Sequence, residues 1–157
     1  MVNYSTRGTL DRVGRVLAID VGGRRIGLAI SDPSRTLARP LSTLTVSSAE
    51  DGVARVAQEI ARLSAELDKD DDALAAIVVG APTRLDGSAS DQTSSVDAFV
   101  EALRARTALP IMREDERLTS REAESRLASG ERDWRRRKAR LDAAAAAIIL
   151  QDYLDRQ

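Results

Sequence analysis

An α/β three-layer sandwich, a five-stranded mixed sheet with helices on both faces, is the fold this sequence predicts. Two observations predict it. The first third of the chain strings short aliphatic runs between tight turns, without helical periodicity. The rest alternates amphipathic segments with short apolar runs. Strands joined by crossover helices pair in parallel, and their helices cover the sheet. A length of 157 residues suits one such domain with a real core, spanning 15–157.

Residues 1–14 are polar and aperiodic and read as a flexible N-terminal tail. RVLAIDV, Arg15 to Val21, is an aliphatic run stopped by Gly22-Gly23, which predicts a buried strand and a tight turn. RIGLAIS, Arg25 to Ser31, is its hairpin partner. TLARPLSTLTV follows Asp32-Pro33, and its Pro40 suits an edge strand, because proline has no N–H to give to a ladder. These three strands predict an antiparallel meander. Ser47-x-x-Glu50 has the form of a capping box, and Val53, Val56, Ile60, Leu63 and Leu67 then recur at helical spacing. LAAIVVG, Leu74 to Gly80, is continuously apolar, as expected of a strand covered on both faces. Val96, Phe99, Val100 and Leu103 mark the next helix, and LPIMRE the next short strand. Thr119-x-x-Glu122 opens a helix through about Leu127, and a last helix runs from about Arg137 to Leu154. This order, three meander strands and then parallel βα units, is that of a ribonuclease H-like fold.

Composition narrows the chemistry. The chain has neither Cys nor His, so thiol nucleophiles, imidazole bases and His-ligated metals are excluded. Any metal site must be built from oxygen, which favours hard ions such as Mg²⁺ or Mn²⁺. A net charge of −1 gives no bulk attraction to nucleic acid. Distribution matters more. DKDDD, Asp68 to Asp72, reads as a solvated acidic loop. RDWRRRKAR, Arg132 to Arg140, concentrates six basic residues and is either a solvated segment or a local phosphate track. Trp134 within it either covers a helix start or stacks on a base. The longest apolar run, AAAAAIIL, is too short for a membrane span, and the N-terminus lacks the apolar core of a secretory signal. A cytoplasmic protein without membrane contact is expected.

Ligands in open α/β sheets sit beyond the carboxyl ends of the parallel strands. Three segments converge there: Asp20 with Gly22-Gly23, the loop GAPTRLDG, and EDERLT. In ARLDAAAAAIILQDYL, Asp142 shares a face with Ala145, Ala146 and Ile149, and the alanines let that helix approach the sheet closely. Each acid has a plainer explanation. Asp20 could cap the Gly-Gly turn, Glu116 could pair with a neighbouring arginine, and Asp142 could serve the helix dipole near a helix start. As a set, three carboxylates drawn together repel unless a cation neutralises them, which makes Asp20, Glu116 and Asp142 a metal-site hypothesis. Arg24, Arg25, Arg84 and Arg117 lie near the same edge as candidate phosphate contacts, and Arg135, Arg136, Arg137 and Lys138 could extend the track. Gly22, Gly23, Gly80 and Pro82 shape the turns at the site.

AIDVGGRRIGLAISD, VVGAPTRLDG, DERLTSREAE and KARLDAAAAAIILQDYL follow in order the motifs of the YqgF family of Holliday junction resolvases and pre-16S ribosomal RNA nucleases. The resemblance runs from about Val16 to Leu154, and DERLT and the Asp-plus-alanine helix are its most telling parts. It implies a ribonuclease H-like fold and a metal-dependent phosphodiesterase site, with Asp20, Glu116 and Asp142 at the family's acidic positions. Two Mg²⁺ or Mn²⁺ ions about 4 Å apart would serve such a site. The better-known bacterial resolvases of this fold carry a Glu on the fourth strand, whereas this strand ends Val79-Gly80-Ala81-Pro82 without an acid. The family offers two substrates: precursor 16S rRNA, favoured here and trimmed at its 5′ end, and a four-way DNA junction. A junction resolvase needs a homodimer to match the junction's two-fold axis, whereas an RNA trimmer can act as a monomer or weak homodimer. Two rivals remain. Asp20-Val21-Gly22 also matches the first hairpin of actin-like ATPases, but those need two domains. A binding module without activity would not need all three acids.

Overall fold

The computed structural model describes residues 14–81, 91–115 and 134–157. The expected tail, apart from Gly14, and the expected helix from Thr119 lie outside these residues. So do Glu116, Arg84, Arg117 and Pro82.

Three strands form the meander: β1 (Arg15–Val21), β2 (Arg25–Ser31) and β3 (Ala38–Thr45). Helix α1 (Ala49–Asp68) follows, then β4 (Leu74–Ala81), α2 (Asp91–Arg104), β5 (Ile111–Asp115) and α3 (Trp134–Asp155). The sheet order is β3-β2-β1-β4-β5. β2 runs antiparallel to both β1 and β3, whereas β4 runs parallel to β1 and β5 parallel to β4. This is the predicted mixed sheet, with β1 at its centre. Pro40 does lie on an edge strand, beside a register shift between Leu28 and Ala29. That is where a residue without an N–H costs least.

The two faces of the sheet differ in side-chain size. Leu17, Ile19, Ile26, Leu28, Ile77 and Val79 pack against α1 and α2 through Val56, Ile60, Phe99 and Leu103. Burying each such side chain contributes about 1.5–3 kcal/mol. The other face offers Val16, Ala18, Ala29, Ala76 and Val78 to Ala146, Ile149, Leu150 and Leu154 of α3. Small residues on both sides let α3 lie close to the sheet.

Two local expectations move. The cap of α1 is Ser48, one residue after the predicted Ser47. Ser48 Oγ accepts the Asp51 N–H at 3.0 Å, and Asp51 in return accepts the Ser47 N–H at 2.9 Å. The box therefore closes on Asp51, and Glu50 stays exposed. The acidic run before β4 is not wholly solvated either. Asp72 accepts from Arg15 Nε at 2.7 Å and from the Ala73 N–H, which ties β1 to the entry of β4.

Candidate functional site

Register and alternation place the acids. Val16 and Ala18 of β1 face α3, so Asp20, two residues further, is on that face as well. Asp20 is half-buried at the end of the strand. Opposite it on β2 stands Gly27, and opposite Gly27 on β3 stands Thr43. On the other flank Val79 pairs with Ile19, which brings Gly80 level with Asp20. Beyond Gly80 its partner on β5 is Glu114. One row thus crosses the sheet beneath α3: Thr43, Gly27, Asp20, Gly80 and Glu114.

Gly27 is what brings the helix to this row. A Cβ built on Gly27 would lie 2.0 Å from the backbone oxygen of Asp142 and 3.0 Å from the Ala143 nitrogen. The α3 backbone therefore rests directly on the β2 glycine, and no other residue fits. Cα atoms facing each other across an antiparallel pair are about 4.5–5.5 Å apart. Asp142 accordingly stands over the residue that faces Asp20, on the same side of the sheet.

The charge on Asp142 is balanced from the sheet. Arg25 Nε donates to Asp142 Oδ2 at 2.7 Å. Arg25 precedes Gly27 by two residues and so shares its face. The plainer explanation of Asp142, service to the helix dipole near a helix start, does not hold here. α3 begins at Trp134, so Asp142 is more than two turns inside it, where the N-terminal field no longer reaches. Its partner is an arginine 117 residues away in the sequence.

Of the predicted phosphate contacts, Arg24 is exposed in the β1–β2 turn. Arg25 is the Asp142 partner just described. Arg135, Arg136, Arg137 and Lys138 belong to the start of α3. Gly22 and Gly23 are exposed in the turn after β1, and the Gly22 N–H donates to the Arg25 carbonyl at 2.9 Å. Gly80 is buried at the end of β4. Among the described residues no group of three acids gathers, and Glu116 lies outside them.

Three residues at the site escaped sequence reasoning: Gly27, Arg25 as the partner of Asp142, and Glu114. Glu114 is buried, 7% exposed, and forms an ion pair with Arg156 near the end of α3. Its signal was alternation in IMRED, where Ile111 and Met112 already assign opposite faces.

Comparison with known proteins accords with this architecture. A protein of Roseiflexus sp. named "Putative pre-16S rRNA nuclease" is 41% identical over 144 residues, 92% of this chain and 96% of that protein. One of the same name from Salinibacter ruber is 41% identical over 151 residues, 94% of this chain and 97% of the relative. Among solved structures, T. thermophilus RuvC in complex with Holliday junction substrate has a TM-score of 0.52 at 16% identity, covering 90% of this chain and 93% of that one. The fowlpox virus Holliday junction resolvase has a TM-score of 0.54 at 12% identity, covering 91% and 99%. Those two likenesses identify the fold as ribonuclease H-like. Residues 14–156 match the RuvX family, described as Holliday junction resolvase. The chain belongs to that family, the YqgF family whose motifs its sequence carries.

Proposed function

We propose that this chain is a metal-dependent nuclease that hydrolyses phosphodiester bonds of nucleic acid at the carboxyl edge of its sheet. The observation that carries this is the seating of α3 on Gly27, which brings Asp142 to the sheet face of Asp20. The donor set fits Mg²⁺ or Mn²⁺, since only oxygen ligands exist in a chain without Cys and His. Asp20, Asp142 and Glu116 would hold the ion, which when bound would polarise the phosphate and activate a water.

The chain's own residues do the positioning. Asp20 ends a central strand paired on both sides, so its carboxylate starts from a rigid backbone. The exposed Gly22-Gly23 turn leaves room for a nucleic-acid backbone beside it. Arg24 and Arg25 flank that path. Arg135 to Lys138 place positive charge in the opening turns of α3, where the helix dipole adds to the attraction for phosphate. Arg84 and Arg117 are proposed as further phosphate contacts, and Gly80 and Pro82 as shaping the exit of β4. All of this lies in one domain, 15–157.

The substrate favoured is structured RNA, with 5′-end processing of precursor 16S rRNA in the cytoplasm, in line with the names of the relatives. That work can be done by a monomer. The description of the family favours a second reading, resolution of four-way DNA junctions, which requires a homodimer. A cleavage assay with Mg²⁺ or Mn²⁺ tests both, on a 5′-extended 16S precursor fragment and a synthetic four-way junction. Cutting of the RNA alone by wild type, and not by Asp20→Asn, is the expected result. Paired symmetric cuts in the junction would replace the RNA reading with the second. Equal cutting by Asp20→Asn would remove the metal role of that acid.

A further inference from the structure

We propose that Arg25 is an internal counter-ion of the acidic edge, holding Asp142 until a divalent cation arrives and then turning to a substrate phosphate. The proposal rests on the metal reading of Asp20 and Asp142 above and adds how that site is kept and opened.

Arg25 contacts Asp142 through Nε at 2.7 Å, and the two side chains are 29% and 26% exposed. Pairs this open to water are weakly held, because solvent screens them. A divalent cation that Asp142 and Asp20 would hold would outcompete so weak a pair. The pair also sits where such a competition would occur, because Asp142 lies over Gly27 and Gly27 faces Asp20.

The backbone allows the side chain to move alone. The Arg25 carbonyl is fixed by the Gly22 N–H, and Arg25 pairs with Thr45 of β3. Release of Asp142 therefore disturbs no strand pairing. The freed guanidinium is anchored at the first residue of β2, beside the exposed glycine turn. A phosphate entering there meets it at once, and guanidinium forks bind phosphate well. Metal and substrate would then bind with mutual assistance, because each removes what blocks the other.

The test is titration of Mn²⁺ into the full-length protein without nucleic acid, followed by calorimetry, for wild type, Arg25→Gln, Arg25→Lys and Asp20→Asn. Loss of a competing unit charge a few ångströms from the ion is expected to tighten Mn²⁺ binding by roughly three- to tenfold in Arg25→Gln. Arg25→Lys, which keeps the charge, should stay near wild type. Melting in EDTA should show Arg25→Gln slightly less stable than wild type, since Asp142 then loses its arginine partner. Unchanged or weaker Mn²⁺ binding in Arg25→Gln overturns the counter-ion role while leaving the nuclease reading standing. If wild type and Asp20→Asn bind Mn²⁺ equally poorly, the metal reading fails, and this proposal falls with it.

Discussion

At the amino end of β1, Arg15 donates through Nε to Asp72 at 2.7 Å; across the sheet's carboxyl edge, Arg25 donates through Nε to Asp142 at the same distance. The chemistry is identical, yet the two pairs do different work. Asp72 also accepts the Ala73 N–H, and its backbone neighbour Ala73 accepts the Arg15 N–H, so the pair closes a strand junction. The surroundings there are equally satisfied. Asp32 accepts from the N–H groups of Thr36 and Leu37, and Gln151 of α3 bonds Ala38 and Thr36. At the carboxyl edge the Asp142 backbone stands instead over Gly27, the residue that faces Asp20. An ion pair is structural where the carboxylate's other bonds are made by the fold; the proposed exchange of Arg25 needs a carboxylate at the same sheet face as Asp20.

The largest expected effect breaks the carboxyl edge alone. Asp20→Asn and Asp142→Asn should each lower single-turnover cleavage by roughly three orders of magnitude, about 4 kcal/mol of barrier. Their melting temperatures should stay within a few degrees of wild type. Gly27→Val comes next and strikes both fold and site. Its side chain would collide with the Asp142 backbone, so α3 must shift. Overpacking of this kind costs about 1–3 kcal/mol, and denaturant titration should register it. Cleavage should fall at the same time, because the displaced helix carries Asp142. A Gly27→Val protein that is destabilised but fully active would mean that Asp142 need not be seated there.

Much of this was legible in the sequence. Apolar runs marked four of the strands, Pro40 marked the edge strand β3, and helical spacing marked the faces of α1 and α2. Asp20 was readable because a lone carboxylate ends an apolar strand. What was hidden depended on distant partners. RIGLAIS gives no local reason for Gly27, whose need arises only when α3 arrives 115 residues later. Arg25 could be read only as a candidate phosphate contact, and its pairing with Asp142 was hidden because that carboxylate lies 117 residues on. α3 is already helical at Trp134, ahead of the start expected near Arg137, since an arginine-rich stretch is unfavourable at a helix N-terminus and masks the boundary. Ser47 and Ser48 both fit the capping pattern, and only the observed bond of Ser48 to Asp51 chooses between them. Glu114 reads as the polar exit of a short strand, and only the fold shows it buried and paired with the exposed Arg156 just after α3.

A smaller effect sharpens the other side of the comparison. Arg15→Gln should lower stability by no more than about 1 kcal/mol and leave cleavage unchanged. The Arg15 guanidinium, followed by the Ala73 N–H, holds the Asp72 carboxyl below its ordinary value. Removing Arg15 should therefore let Asp72 titrate at higher pH, measurable by carboxyl NMR. A loss of cleavage in Arg15→Gln would show that the amino end also serves the reaction.

The smallest effect concerns acid. The Ser34 hydroxyl, then the Leu37 and Thr36 N–H groups, lower the Asp32 carboxyl to about 2. An unfolded aspartate titrates near 3.9. Because the folded value is the lower one, the stabilisation is fully present above about pH 4 and is lost as the pH falls toward 2. Asp32→Asn lacks that charge at every pH. The gap in melting temperature between wild type and Asp32→Asn should thus be constant from pH 5 to 7, narrow from pH 4 downward, and close near pH 2. Cleavage at neutral pH should not change, since Asp32 shapes the β2–β3 turn at the end of the sheet away from Asp20. A gap that ignores pH would mean that shape alone, rather than the charge, lets Asp32 hold its turn. The contrast between the two ends of the sheet would then rest on the arginine pairs only.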